Sequence, residues 1–437
     1  MTPVITVGSK NVSTGGNNST VVDFSAGTAT IYASNVNLGW ETTTAGGGHP
    51  AGILSLGGGT LDVGGNVWEG SGSTGQGTST VNLYGGTMTV GGVLQVNNLT
   101  MGSTGKAASV QFTNPGTSGA GNLYVRSNTA TVSTVMLPAG HTLDVTGTLS
   151  VGVPSTTGAS TSLTMTGGGD VSISNASGTI DIGIANSDQN ATENQATVNL
   201  SGLNSFTAEV TNFRVGYGSR IRSTLTLSDT ANSITADILS VSNSVNSNAS
   251  PSLLRLGTGT NTLHANTIEA GLGKGIGTIT FASQAAGSPG TVAIRGRTGG
   301  TSAANITLAS NPTSGTGATP TGTLNLLGHA ADVVAGTLTM ARRTVSGGGG
   351  VTATLSLDAG EFTVAAVDMG TKSNGSGPAT ATLNVGGGTF TVSAGGSFQL
   401  ANHTGGGAAL GTLNVTGGTV TANADIIDAG GTSTTTI

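Results

Sequence analysis

Two near-copies stand in tandem in this sequence. Residues Ala381–Leu400 read ATLNVGGGTFTVSAGGSFQL, and residues Gly411–Ile427 read GTLNVTGGTVTANADII. Each copy holds three short apolar–polar alternations separated by glycine corners. An alternation of period two specifies a strand with one buried face. A repeat of three short strands and three corners is one coil of a β-solenoid, whose inward side chains are covered by the coils above and below.

The first inward residue of the opening strand recurs at Val22, Leu54, Val81, Val110, Val135, Leu163, Val198, Leu225, Leu254, Ile279, Leu324, Leu355, Leu383 and Leu413. Most intervals between these anchors lie near 28 residues, and the longest, 45, follows Ile279. The spacing predicts an all-β fold, a right-handed parallel β-helix (β-solenoid) of about fourteen coils. Each coil has roughly 28 residues and three short strands, and residues 1–437 form a single domain. At ~4.8 Å per coil the body is expected to be ~65–70 Å long. Val110 and Val135 fall in Ala107–Leu149, where glycine punctuation is weakest.

A polar loop follows the third strand of most coils: Glu69–Ser79, Gly102–Ser109, Gly152–Ser162, Ser242–Ser252 and Gly370–Thr380. Recurrence at one place in the repeat predicts one loop edge. Insertions near 186–197 and 282–322 are expected on that edge, where repeat proteins carry function.

Composition narrows the function classes. Gly is 76 of 437 residues, charged residues are 7% and aromatics 3%, a poor recipe for a closed globule with one large core. A mean hydropathy of +0.13 and patterned apolar residues argue against disorder. The net charge of −6 is spread thin, with no polybasic face for nucleic acid. Without cysteine, neither a disulfide nor a thiolate metal site can form. No apolar run approaches the length of a membrane helix. Met1–Gly8 lacks the basic-then-apolar shape of a signal peptide.

Outward threonines are the sharpest surface signal. Thr60, Thr87, Thr89, Thr142, Thr235, Thr337, Thr339, Thr389, Thr391, Thr419 and Thr421 are expected in two files on one flat face of second strands. Such arrays resemble ice-binding solenoids, although Thr also simply suits exposed strands. Charged residues concentrate between Arg214, Arg220, Arg222, Arg255, Arg295 and Arg297, with Glu209, Asp229, Asp237 and Glu269 near them in sequence. A carbohydrate-cleaving site would need several of these to converge; solvated charge is the plainer expectation. His49, His141, His264, His329 and His403 match no metal-ligand spacing and read as exposed polar residues. Trp40, Trp68 and Tyr217, near the ends of third strands, could stack on sugars or seal a corner.

The units Thr382–Val392 (TLNVGGGTFTV), Thr412–Ala422 (TLNVTGGTVTA) and Thr80–Val90 (TVNLYGGTMTV) resemble the repeats of large secreted bacterial proteins. The family is that of autotransporter passenger domains and autotransporter-associated β-strand repeats. The resemblance implies a right-handed solenoid outside the cell, serving as stalk, adhesin or matrix component. A complete autotransporter ends in a membrane barrel, and Gly417–Ile437 shows no such pattern.

The leading expectation is therefore a non-enzymatic, extracellular structural protein without catalytic residues, metal or cofactor. Val4–Val7 reads as a strand part-way through a coil, and Thr432–Ile437 as the opening strand of a further one. Uncapped parallel coils are templates for another chain. Head-to-tail self-assembly into a filament-forming rod is thus expected, through Val4, Ile5 and Val7 at one end and Ile426, Ile427 and Ile437 at the other. The alternative is an adhesin or binding module for cell-surface polysaccharide or ice, using the loop edge or Thr face. A polysaccharide-degrading enzyme ranks below both. Nucleic acid and a membrane span are not expected.

Overall fold

The computed structural model describes residues 3–10, 19–41, 49–69, 77–153, 158–184, 192–244, 251–283, 290–312 and 319–436. Among these residues there is no helix, and 36 strands fall into two parallel sheets of 21 and 15 strands. They wind as a solenoid of about 13 turns, close to the fourteen expected. The chain forms two compact units. One comprises Met1–Val153, Ala159–Gly178 and Val198–Thr207; the other comprises Pro154–Gly158, Thr179–Thr197 and Ala208–Ile437.

In the first unit a coil has three faces. Ala51–Leu56 lies on the first, Gly59–Val63 on the second and Val67–Glu69 on the third. The anchors stack as the spacing predicts: Val22 pairs with Leu54, and Leu54 with Val81. The ladder then breaks. Strand Leu94–Met101 follows the third face at Leu94, paired with Val67, but turns onto the first face at Leu99, paired with Val81. This turn of the solenoid therefore carries one strand too many. The next opening strand, Ala108–Phe112, lands on the second face, where Val110 pairs with Met88 rather than Val81. From there Val110 pairs with Val135, while Val135 pairs with Met165, two residues past the anchor Leu163.

The extra strand corrects the expectation of a single loop edge. The connection Glu69–Ser79 runs from the third face to the first, whereas Gly102–Ser109 runs from the first to the second. One added strand moved the loops by one corner.

In the second unit the anchors hold a continuous ladder, Leu225–Leu254–Ile279–Leu324–Leu355–Leu383–Leu413. All seven are buried. Each such aliphatic side chain contributes about 1.5–3 kcal/mol relative to exposure. The long interval after Ile279 does not sit on one edge. Strands Thr291–Arg295 and Ala304–Asn311 are ordinary members of their ladders. The surplus is divided among the connections 282–290, 296–303 and 312–320. Of the expected insertion at 186–197, residues 186–191 lie outside the described residues, and 194–197 open the strand Asn194–Asn199.

Coil closure has a local cause. At the end of the last strand the backbone turns through a left-handed residue at Ser242, Gly271, Ala309, Ala341 and Gly370, at matching places in successive coils. This kink drives the chain against the opening strand at the position two before the anchor. A Cβ on Gly322 would lie 2.3 Å from the Ala309 amide nitrogen and 2.4 Å from the Ala270 carbonyl oxygen. Thr20 is exposed at this position; in every later coil it is small and buried: Gly52, Ser79, Ala108, Ser133, Thr161, Ala196, Ser223, Ser252, Gly277, Gly322, Ala353, Ala381 and Gly411.

Candidate functional site

At the C-terminal coil, Ile426 stands in register with Phe398, and Phe398 with Val367. Phe398 and Val367 are buried at 0% and 1% exposure, yet Ile426 is 45% exposed and its neighbour Ile427 42%. Strand Thr432–Thr436 pairs on Ala409–Val415, opening a further coil as the sequence suggested. At the other end Val4 is 53% exposed and Ile5 half-buried. Val7, in register with Leu38, is fully buried and presents nothing outward. Ile437 lies outside the described residues.

The eleven threonines do not share one face. Thr60, Thr87 and Thr89 lie in the 15-stranded sheet, with Thr60 opposite Thr87 and Asp62 opposite Thr89. Thr142 lies in the 21-stranded sheet opposite Asp170. In the second unit Thr389 and Thr391 stack on Thr419 and Thr421, while Thr235 faces His264. Thr337 and Thr339 sit beyond the bend at Gly336, opposite Ala366 and Asp368, on a different face from Thr389 and Thr391. The unbroken file is elsewhere, on the opening strands: Thr278, Thr323, Thr354, Thr382 and Thr412. A second file, Thr321, Thr352 and Thr380, runs beside it. All eight are outward and half-buried. The anchors could have revealed both files, because these threonines sit one and three residues before them.

The charged stretch resolves into separate pairs. Arg297 reaches back across the coils to Asp237 (3.0 Å) and Glu209 (3.9 Å), and donates to the Val210 carbonyl at 3.0 Å. Arg214 faces Asp181 at 3.7 Å, Arg222 faces Glu193 at 3.0 Å and Arg295 faces Asp332 at 2.6 Å. Asp181, Glu193, Glu209, Asp237 and Asp332 are each held by an arginine. Burial pushes the Glu269 carboxyl up from its ordinary value. Burial, and then the charge of Arg295, pulls His264 down.

Two histidines correct the expectation of exposed side chains. His141 is fully buried, its Nδ1 2.7 Å from the Asn114 carbonyl and its Nε2 2.9 Å from Ser118 Oγ. His329 is buried and stacks on Phe281, centroids 3.6 Å apart. The aromatic residues are scattered: Trp68 donates to Asn37 Oδ1, and Tyr217 lies under Arg214.

One cluster escaped sequence reasoning. Arg343 pairs with Lys372, and Lys372 with His403, as successive rungs at the corner beneath the loops. Arg343 and Lys372 are both 0% exposed. Burial lowers both from their ordinary values, and Arg343 lowers Lys372 further. The available signal was the spacing: each rung lies two residues past Ala341, Gly370 and Ala401.

No protein-family profile, curated protein or solved structure matches the chain. The class it belongs to is defined by fold alone: an all-β parallel solenoid of stacked coils.

Proposed function

We propose that this chain is a non-enzymatic structural protein of the cell exterior that associates with copies of itself by continuing the parallel stack. The observation that carries this reading is the open rung at Ile426, apolar and in register with buried Phe398. A further coil laid on it would satisfy backbone groups and cover apolar area together. Low charge permits close approach without strong repulsion. The exterior location rests on the resemblance to secreted bacterial repeats. The same rung would also accept further coils of a longer chain, so the test must separate the two. Negative-stain microscopy and light scattering across a concentration series should show fibres that lengthen with concentration. Particles that stay monomeric at every concentration would overturn self-assembly and leave only continuation within a chain.

A second reading draws on the paired threonine files of the opening strands. Hydroxyls spaced about 4.8 Å between coils and about 6.7 Å along a strand form a flat, regular lattice. Such a surface suits an ordered ligand, ice or a crystalline polysaccharide. Replacing Thr354, Thr382 and Thr412 by Lys should abolish thermal hysteresis or retention on insoluble glycan. Retention that survives the triple variant would reject this surface.

A further inference from the structure

Three successive loops of the second unit share a pattern. RTVSGGGG begins at Arg343, KSNGSG at Lys372 and HTGGG at His403: a cationic or imidazole side chain, a hydroxyl residue, then glycines. The loops stack. Ser373 N donates to Arg343 O and Thr404 N to Lys372 O, while Ser376 N donates to Gly347 O and Gly407 N to Gly375 O. The first residue of each loop points inward, continuing a rung from buried Asn311.

Lys372 Nζ donates to the carbonyls of Asn374 and Gly375. The Arg343 guanidinium lies against the same turn, where a Cβ on Gly375 would stand 2.9 Å from its Nε. Yet Nε, Nη1 and Nη2 of Arg343 are buried with no hydrogen-bond partner, as is Nε2 of His403. Neither Arg343 nor Lys372 forms an ion pair with a carboxylate among the described residues. Two enclosed cations beside one turn without a counter-charge are strongly unfavourable. A guanidinium has five donors in a planar fork, and all are idle here.

We infer that the stacked loops 344–350 and 373–378 enclose a small oxyanion of phosphate, sulfate or carboxylate type, bound by the Arg343 guanidinium and the Lys372 ammonium. The fork of Arg343 matches two oxygens of such an ion. Complete burial of Arg343 favours a small ion that the loops can close over rather than a charged group on a polymer. The ion would act as a staple between these two stacked loops.

The test uses the whole protein, exchanged into chloride buffer. Calorimetric titration with sodium phosphate, sulfate and acetate at constant ionic strength should give saturable binding of at least one ion. Thermal unfolding should shift upward over the same concentrations. Arg343→Met should weaken binding by at least about tenfold and remove the shift. Lys372→Met is the second variant, should the first fail to fold. Three results would overturn the inference. One is the absence of saturable binding to wild type. Another is an equal shift in wild type and variant, which marks general solute exclusion. The third is binding only of a sulfated oligosaccharide, with the free ions inert.

Discussion

At Gly322, two residues before the anchor Leu324, any side chain meets the left-handed corner at Ala309 of a neighbouring strand. Gly322→Ala places its Cβ within 2.4 Å of two backbone atoms, so it should lose about 1–3 kcal/mol in urea unfolding. Ala381→Gly, at the same register, should cost only about 0.5–1 kcal/mol, the flexibility of the unfolded chain. Glu269 supplies a pH test. Its folded value is raised by burial, so the stability it contributes is whole below the ordinary glutamate range. That contribution is lost as pH rises through the raised value. Glu269→Gln should therefore gain on wild type in melting temperature from acid to neutral pH; parallel pH profiles would reject the assignment. The sequence made the small residues visible, since every anchor has one two places before it. It did not show why, because the corner they meet belongs to another strand.

Among the elements, the corner between consecutive strands of the second unit is fixed by an asparagine pair. Asn261 Nδ2 donates to the carbonyls of Gly257 and Thr291, at 2.9 and 3.1 Å, and its Oδ1 accepts from Gly257 N and from Asn232 Nδ2. Asn232 repeats the pattern on Ser228. Both side chains are buried, so Asn261→Ala strands several polar groups and should cost about 2–4 kcal/mol in denaturant unfolding. Asn305→Ala, whose bonds to Thr337 are exposed, should cost about 1 kcal/mol or less. Each ladder asparagine lies seven residues after its anchor, Leu225 or Leu254, a spacing readable in advance. The extra strand at Leu99 was not readable. Residues 94–101 alternate well enough for a strand, but which face receives them depends on the partner, Val67 or Val81.

On the scale of the whole molecule, the proposed assembly would depend on a few side chains that contribute little to folding, because they are already half in solvent. Replacing Ile426 and Ile427 by Asp should leave the melting temperature nearly unchanged and abolish concentration-dependent growth in light scattering. Growth that persists would move the interface away from this rung. What the sequence determined by itself was the coil: period-two alternation, glycine corners and a spacing near 28 residues require stacked parallel strands. The anchors of the second unit fell into register because a slip along a strand would turn its apolar residues outward. Tertiary structure alone decided what depends on a neighbouring coil. It set the face on which a strand lands, and so the corner from which the loops emerge. It separated Thr337 and Thr339 from Thr389 and Thr391, and it brought Arg343 beside Lys372. Arg343 and Lys372 lie some 30 residues apart in sequence, and strand spacing, at about 4.8 Å, is what makes them neighbours.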